Sequence, residues 1–212
     1  EDGYDLWLRY RPLDAETRAK VSAYATSILA TQSPSPVMLA AIGELQNALS
    51  GLLARQVPTT GEIVDGAILI GTPANLPAID RLGLPLGQLG EEGYVVRSMV
   101  ISGHPATVIA ANGETGLLYG VFELLRQFQT GAALGALDLI EVPKLGLRLL
   151  NHWDDLDRHV ERGYAGESIW DWWRLPDILD TRYTDYARAN ASIGINGTVL
   201  NNVNASAEVL TA

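Results

Sequence analysis

The stretch that most constrains this chain is residues 145–173, LGLRLLNHWDDLDRHVERGYAGESIWDWW. Four of the five tryptophans fall inside it (Trp153, Trp170, Trp172 and Trp173), interleaved with acids, arginines and two of the three histidines. It opens as an apolar run over 145–150 and turns polar at Asn151. Such a pattern predicts a buried strand whose end delivers functional groups into a long loop.

The rest of the chain either leads up to this segment or completes it. Residues 4–10 alternate Tyr4, Leu6 and Leu8 against Asp5, Trp7 and Arg9, which predicts a half-buried strand. Asp14 caps an expected helix with Val21, Tyr24, Ala25 and Ile28 on one face. Ser35 and Pro36 form an N-cap and first-turn pair for a second helix, on which Met38, Ile42, Leu45, Leu49 and Leu52 recur at helical spacing. Residues 67–71 (AILIG) are a short apolar strand, and a Pro- and Gly-rich loop follows through Gly90. Residues 94–101 and 106–111 read as a hairpin turned at Ser102, Gly103, His104 and Pro105. Thr115 is the expected cap of a helix that turns Leu117, Val121, Leu124, Leu125 and Phe128 inward and closes at Gly131. Gly113, Gly116 and Gly120 thin that helix so that it can approach a sheet. One more strand is expected over 136–142.

Residues 1–142 are therefore expected to form an N-terminal α+β sandwich, helices on a mixed sheet. Pro143 marks the boundary, because proline interrupts the strand pattern before a new apolar run begins. Beyond it come a strand (145–150), a loop (151–182), a helix (183–193) with Tyr183, Tyr186, Ala187 and Ala191 inward, and a strand (195–200) ending in Asn201, Asn202 and Asn204. Strand, helix and strand in succession imply a parallel crossover. Both strands then end in polar groups at one edge, where ligands bind in parallel α/β structures. Strand-to-helix connections usually take about 2–6 residues, so the loop over 151–182 asks for a function. Its aromatics and charges argue against disorder.

Composition excludes several classes. A net charge of −10 disfavours nonspecific nucleic-acid and anionic-membrane binding. No stretch reaches the roughly 18 apolar residues of a membrane span. No signal-peptide pattern opens the chain, which leaves a cytoplasmic or a periplasmic or secreted location open. The absence of cysteine removes disulfides and thiolate chemistry. His104, His152 and His159 lack a ligand spacing on one element, so no metal is expected. No phosphate-binding glycine loop or nucleophile elbow is present, and no cofactor is expected. Asn190, Asn196 and Asn204 match the glycosylation pattern by chance, Asn196 entering a strand.

The Trp-rich segment carries residue types that would suit a carbohydrate. Asp154, Asp155, Asp157, Glu161 and Glu167 could supply paired carboxylates, although acids in loops are usually solvated or paired with arginine. Glu161, beside Arg162 and before Gly163, is the best acceptor for a sugar hydroxyl. Trp153 and Trp170 suit the apolar face of a carbohydrate, with Trp172 and Trp173 the better candidates for core filling. Asn151, Asn201 and Asn202 can hold hydroxyls without becoming charged, or can simply serve as turn residues.

The segments LLNHWDDLDRHVERGYAGESIWDW and DYARANASIGINGTVLNNVNA resemble the opening of the catalytic barrel in family 67 glycoside hydrolases, the xylan α-glucuronidases. The start EDGYDLWLRY and the segment AANGETGLLYGVFELLRQFQT resemble that family's N-terminal domain. The resemblance implies an N-terminal α/β sandwich (1–142) followed by the beginning of a (β/α)8 TIM barrel (143–212). It also implies inverting removal of (4-O-methyl)-glucuronic acid α-1,2-linked to xylose in glucuronoxylan-derived oligosaccharides. The acid and base of the family lie on later barrel strands, so no catalytic residue is expected here. Substrate-lining positions by this resemblance are Trp153, Glu161, Arg162, Trp170, Asn201 and Asn202. A barrel takes about 250 residues, so the chain is expected to be a fragment, inactive alone, of an enzyme that could form a homodimer. The rival reading is a non-catalytic carbohydrate-binding module with the Trp-rich loop as its platform; a structural or dimerisation domain is a third.

Overall fold

The computed structural model describes residues 2–155 and 157–200. The chain divides into two compact units, Glu1–Lys144 and Leu145–Ala212, and each is described by itself.

The first unit is a five-stranded mixed sheet with helices on one face and a long loop on the other. Its strands are β1 (Ser27–Leu29), β2 (Ala67–Gly71), β3 (Tyr94–Ile101), β4 (His104–Ala111) and β5 (Asp138–Glu141), in the order β1-β2-β4-β3-β5. β1, β2 and β4 run parallel, while β3 is antiparallel to both β4 and β5. The helices are α1 (Ala15–Ser22), α2 (Pro36–Leu53) and α3 (Glu114–Thr130). Five consecutive buried residues in β2 reflect a strand covered on both sides.

α2 forms where its cap and stripe predict. The Ser35 hydroxyl accepts from the Met38 N–H at 3.2 Å, and Pro36 supplies the first turn. Met38, Leu45, Leu49 and Leu52 are buried along its inner face. Ser35 also donates to Glu114 at the start of α3, and Asn75 Nδ2 donates to the same carboxylate at 3.1 Å. Ser35→Ala removes the cap and one bond to Glu114, and is expected to lower stability by about 1 kcal/mol. Chemical denaturation of the protein checks it; an unchanged midpoint would mean that α2 stands without its cap.

α3 buries Leu117, Val121, Leu124, Leu125 and Phe128 as its period predicts, and Gly131 closes it at φ 75°. Its N-cap is Gly113, with no side-chain bond, so Thr115 does not cap it. A β-carbon at Gly120 would lie 2.7 Å from Ile109 Cγ2, and one at Gly116 2.5 Å from the Gly93 carbonyl oxygen. The helix therefore packs almost directly on the sheet. The opposite face of the sheet presents Leu29, Leu69 and Val108 to Ile79, Leu76 and Leu82 of the loop after β2.

Three local expectations are corrected. Residues 4–10 form consecutive turns, closed by Leu6 N–H to Gly3 and Leu8 N–H to Asp5, because the backbone satisfies its groups locally instead of joining a ladder. Burial does not follow the alternation either: Tyr4 and Leu6 are exposed, Leu8 and Tyr10 are buried, and Trp7 packs edge-on against Phe122. α1 stops at Ser22, so Tyr24, Ala25 and Ile28 are not on it; Ile28 lies in β1. The Arg55 guanidinium donates to the Ala25 carbonyl at 2.9 Å and so braces the bend between them. The hairpin turn needs only Ser102 and Gly103, both at positive φ (53° and 89°), which matches the right-handed twist of its strands. His104 and Pro105 belong to β4.

The second unit contains β6 (Leu149–Asn151), α4 (Thr181–Ala191) and β7 (Gly197–Val199). β6 and β7 pair in parallel, Leu149 opposite Gly197 and Asn151 opposite Val199. The apolar run over 145–150 is not a buried strand. Leu145, Leu147, Leu149 and Leu150 are all exposed, in a ribbon that has only two strands among the described residues. On α4, Tyr183 and Tyr186 turn inward while Ala187 is exposed. Among the described residues no helix is long and apolar enough to cross a membrane.

Candidate functional site

The parallel pairing brings the carboxyl ends of β6 and β7 together. The ladder continues one step beyond Asn151, where the His152 N–H donates to the Val199 carbonyl at 2.8 Å. The segment between β6 and α4 then folds upon itself through two isolated bridges, Asp154 with Val160 and His159 with Glu167. Further backbone bonds run from Asp155 N–H to His159, from Ser168 N–H to Arg158, and from Glu161 N–H to Trp153, the last at 2.6 Å. Arg158 and Glu161 adopt positive φ (75° and 57°) to make these returns. It is a long connection with its own interior: Asp154, Ser168, Trp170 and Asp171 are all buried.

Aromatic rings fill part of that interior. Trp170 stacks on Tyr183 with centroids 4.9 Å apart and meets His152 and Tyr186 edge-on at 5.9 and 5.5 Å. Charge holds another part. Asp171 faces three guanidinium groups, Arg182 at 2.9 Å and Arg158 and Arg174 at 3.5 Å each. Arg158 also reaches Glu167 at 3.4 Å and lies over the Trp173 ring at 5.4 Å. Asp180 caps α4 by accepting from the Arg182 N–H; that bond, followed by the Arg182 guanidinium, holds its carboxyl below the ordinary range. The hydrogen bond to Asp180 in turn pushes Arg182 upward. Asp157 is lowered chiefly by the His159 N–H.

Beside these groups lies an open cleft of about 280 Å³, lined by Asn151, His152, Trp153, Asp154, Glu167 and Ser168 among others. Trp153 is 50% exposed. Glu161 joins Trp153 through the backbone bond, and its side chain is only 12% exposed. Its Oε2 is buried with no hydrogen-bond partner, while Oε1 stands 3.9 Å from Arg162 Nε. Arg162 is 80% exposed at its side chain.

Of the sequence-predicted site residues, Trp153 lines the cleft, whereas Glu161, Arg162 and Trp170 do not. Trp170 is 9% exposed within the aromatic cluster. Asn201 and Asn202 lie outside the described residues. The sequence reading passed over His152 and the three arginines around Asp171. The spacing of Asp171 and Arg174, three apart, was a local signal for one of those pairs; the others join residues 11 or more positions apart and had none. Among the described residues, no three His, Asp or Glu side chains gather where they could hold a metal ion.

Residues 6–124 match the model of the glycosyl hydrolase family 67 N-terminus, and residues 127–212 match that of the family 67 middle domain. The chain belongs to glycoside hydrolase family 67. Among its relatives are the probable alpha-glucuronidase A of Aspergillus fumigatus, 32% identical over 99% of this chain, and the alpha-glucuronidase A of Emericella nidulans, 32% identical over the whole of it. The family 67 chain spans about a quarter of the length of these curated relatives, 25% in each case. Two solved structures share its fold. One is a family 115 4-O-methyl-alpha-glucuronidase with specificity for decorated arabinogalactans, with TM-score 0.59 and 14% identity over 82% of this chain and 25% of that one. The other is a family 138 enzyme that targets pectin rhamnogalacturonan II, with TM-score 0.54 and 15% identity over 83% of this chain and 24% of that one.

Proposed function

We propose that this family 67 chain supplies the N-terminal sandwich domain (1–142) and the first β/α units of a (β/α)8 barrel (143–212) of an inverting α-glucuronidase. The complete protein removes (4-O-methyl)-glucuronic acid α-1,2-linked to xylose in xylo-oligosaccharides. The observation that carries the reading is the half-exposed Trp153 ring over an open cleft at the shared carboxyl ends of two parallel strands. Ligands of barrel enzymes bind at that edge, and a sugar's C–H face packs on an aromatic ring. The exposed leucines and the two-stranded ribbon agree with a sheet that further strands extend. In this reading Trp153 is the sugar platform, and the Glu161 carboxylate, buried in the free chain, turns outward to accept a hydroxyl near it on binding. Arg162, Asn201 and Asn202 complete the polar lining, and Trp170 backs the loop from inside. The acid that protonates the leaving oxygen and the base that activates water stand roughly 6.5–9.5 Å apart in inverting enzymes and come from outside these residues.

Incubating the complete protein with aldouronic acids and following free uronic acid by proton NMR tests this. The expected result is release with inversion, the β-anomer appearing first, and no release by the 212-residue chain alone. No release by the complete protein would overturn the activity, and turnover by the 212-residue chain would overturn the placement of acid and base. Tight binding of xylo-oligosaccharides without turnover would instead make the Trp-rich loop a carbohydrate-binding module.

A further inference from the structure

His152 meets a strand, a helix and the loop at once. Its backbone N–H bonds the Val199 carbonyl at the end of β7 (2.8 Å), and its ring Nε2 lies 2.5 Å from the Tyr186 hydroxyl on α4. Its Nδ1 lies 3.8 Å from Oδ2 of Asp154, a carboxylate only 2% exposed. The contacts continue on both sides. Tyr186 Oη is 3.4 Å from Thr198 Oγ1 of β7, and Asp154 Oδ2 accepts the Ser168 hydroxyl, whose oxygen accepts the Trp170 N–H at 2.9 Å. An imidazole suits this place because its two nitrogens point apart and can donate on one side while accepting on the other. An apolar ring of the same size would fill the space but take the nearest partner from the Tyr186 hydroxyl and leave Asp154 with Ser168 alone.

Trp153 is the next residue in the chain, and its carbonyl is held by the Glu161 N–H. We infer that His152 is the positioning residue of this cleft: bonded through its ring to Tyr186 of α4 and through its backbone to β7, and set beside Asp154 of the loop, it sets the angle at which Trp153 offers its ring to a sugar. The kinetic consequence rests on the proposed function, whereas the clamp itself does not.

The complete protein tests both. His152→Phe keeps the ring and removes both polar contacts, and its KM for an aldouronic acid is expected to rise about 10-fold with kcat within about twofold. His152→Gln, whose carboxamide both donates and accepts, is expected to bring KM back to within about threefold of the parent. Trp153→Ala combined with His152→Phe should be no worse than Trp153→Ala alone, since one acts through the other. A His152→Phe enzyme with parental KM, a loss confined to kcat, or additive losses in the double variant would overturn the inference.

Amide hydrogen exchange over residues 153–168 reads the clamp without substrate. Exchange should quicken in His152→Phe and be restored in His152→Gln, and unchanged exchange in His152→Phe would overturn the clamp. Should the parent protein release no uronic acid while exchange responds as expected, the proposed function falls and the clamp stands. If His152→Phe does not fold, Tyr186→Phe, which removes one arm, takes its place in both measurements.

Discussion

Trp170→Ala is expected to cost about 3–5 kcal/mol, the usual range for deleting a buried tryptophan side chain. The ring is 9% exposed and touches Tyr183, His152, Tyr186 and Trp172, so its loss leaves a hole at the junction of β6, α4 and the loop. The loop cannot collapse into that hole, because Asp171, the next residue, is held by three arginines. Guanidinium unfolding of the complete protein should show a transition for this unit at lower denaturant, and Trp170→Phe should recover most of the loss. A midpoint unmoved by Trp170→Ala would mean that the ring lies at the surface and is free to meet substrate.

Trp153→Ala should act in the opposite way, sparing stability and weakening binding. Half of the ring is already in water, so truncation opens little core. If a sugar covers about 80 Å² of that exposed face, the lost burial is worth about 2 kcal/mol, or roughly a 30-fold rise in KM. Steady-state kinetics of the complete protein on aldouronic acids, with its melting curve as control, measure both halves. Unchanged KM would leave Trp153 without a role in recognition. A large fall in stability would make it a core residue instead.

How much of this was legible in the sequence depended on the range of the interaction. α2 could be read because Ser35, Pro36 and a run of apolar residues at helical spacing lie within one segment. The hairpin could be read because Ser102 and Gly103 carry their own turn chemistry. β1 escaped because three residues cannot show a period, and Ile28 served a helical face on paper as well as it serves a strand in fact. Residues 4–10 were misread because so short an alternation fits a run of turns as well as a strand, and here it marks neither the buried side chains nor the backbone bonds. The exposure of Leu145–Leu150 ran against an apolar pattern that states a need for cover without naming what covers it.

The candidate site was legible in part. Tryptophan density and the polar strand end pointed to the loop, and Trp153 does line its cleft. The division of labour among the four tryptophans was not visible, since it depends on Tyr183 and Tyr186 arriving from α4. Nor was the role of Asp171. An acid among arginines looks like any solvated loop charge until three guanidinium groups are seen to converge on it.

The two sheets also differ in how they can be assembled. β3 and β4 meet across a two-residue turn, so their pairing is among the first long contacts that a collapsing chain can make. β6 and β7 are parallel neighbours that enclose the whole Trp-rich loop and α4. Closing them costs loop entropy before any ladder bond returns it. The interior of that loop offsets this cost, since the bridges at Asp154 and His159 and the cluster on Asp171 shorten the chain left free between the strands. The residues that shape the candidate cleft thus also bear on closure of the ribbon: every contact made inside the loop lowers the entropy left to lose when its strands pair.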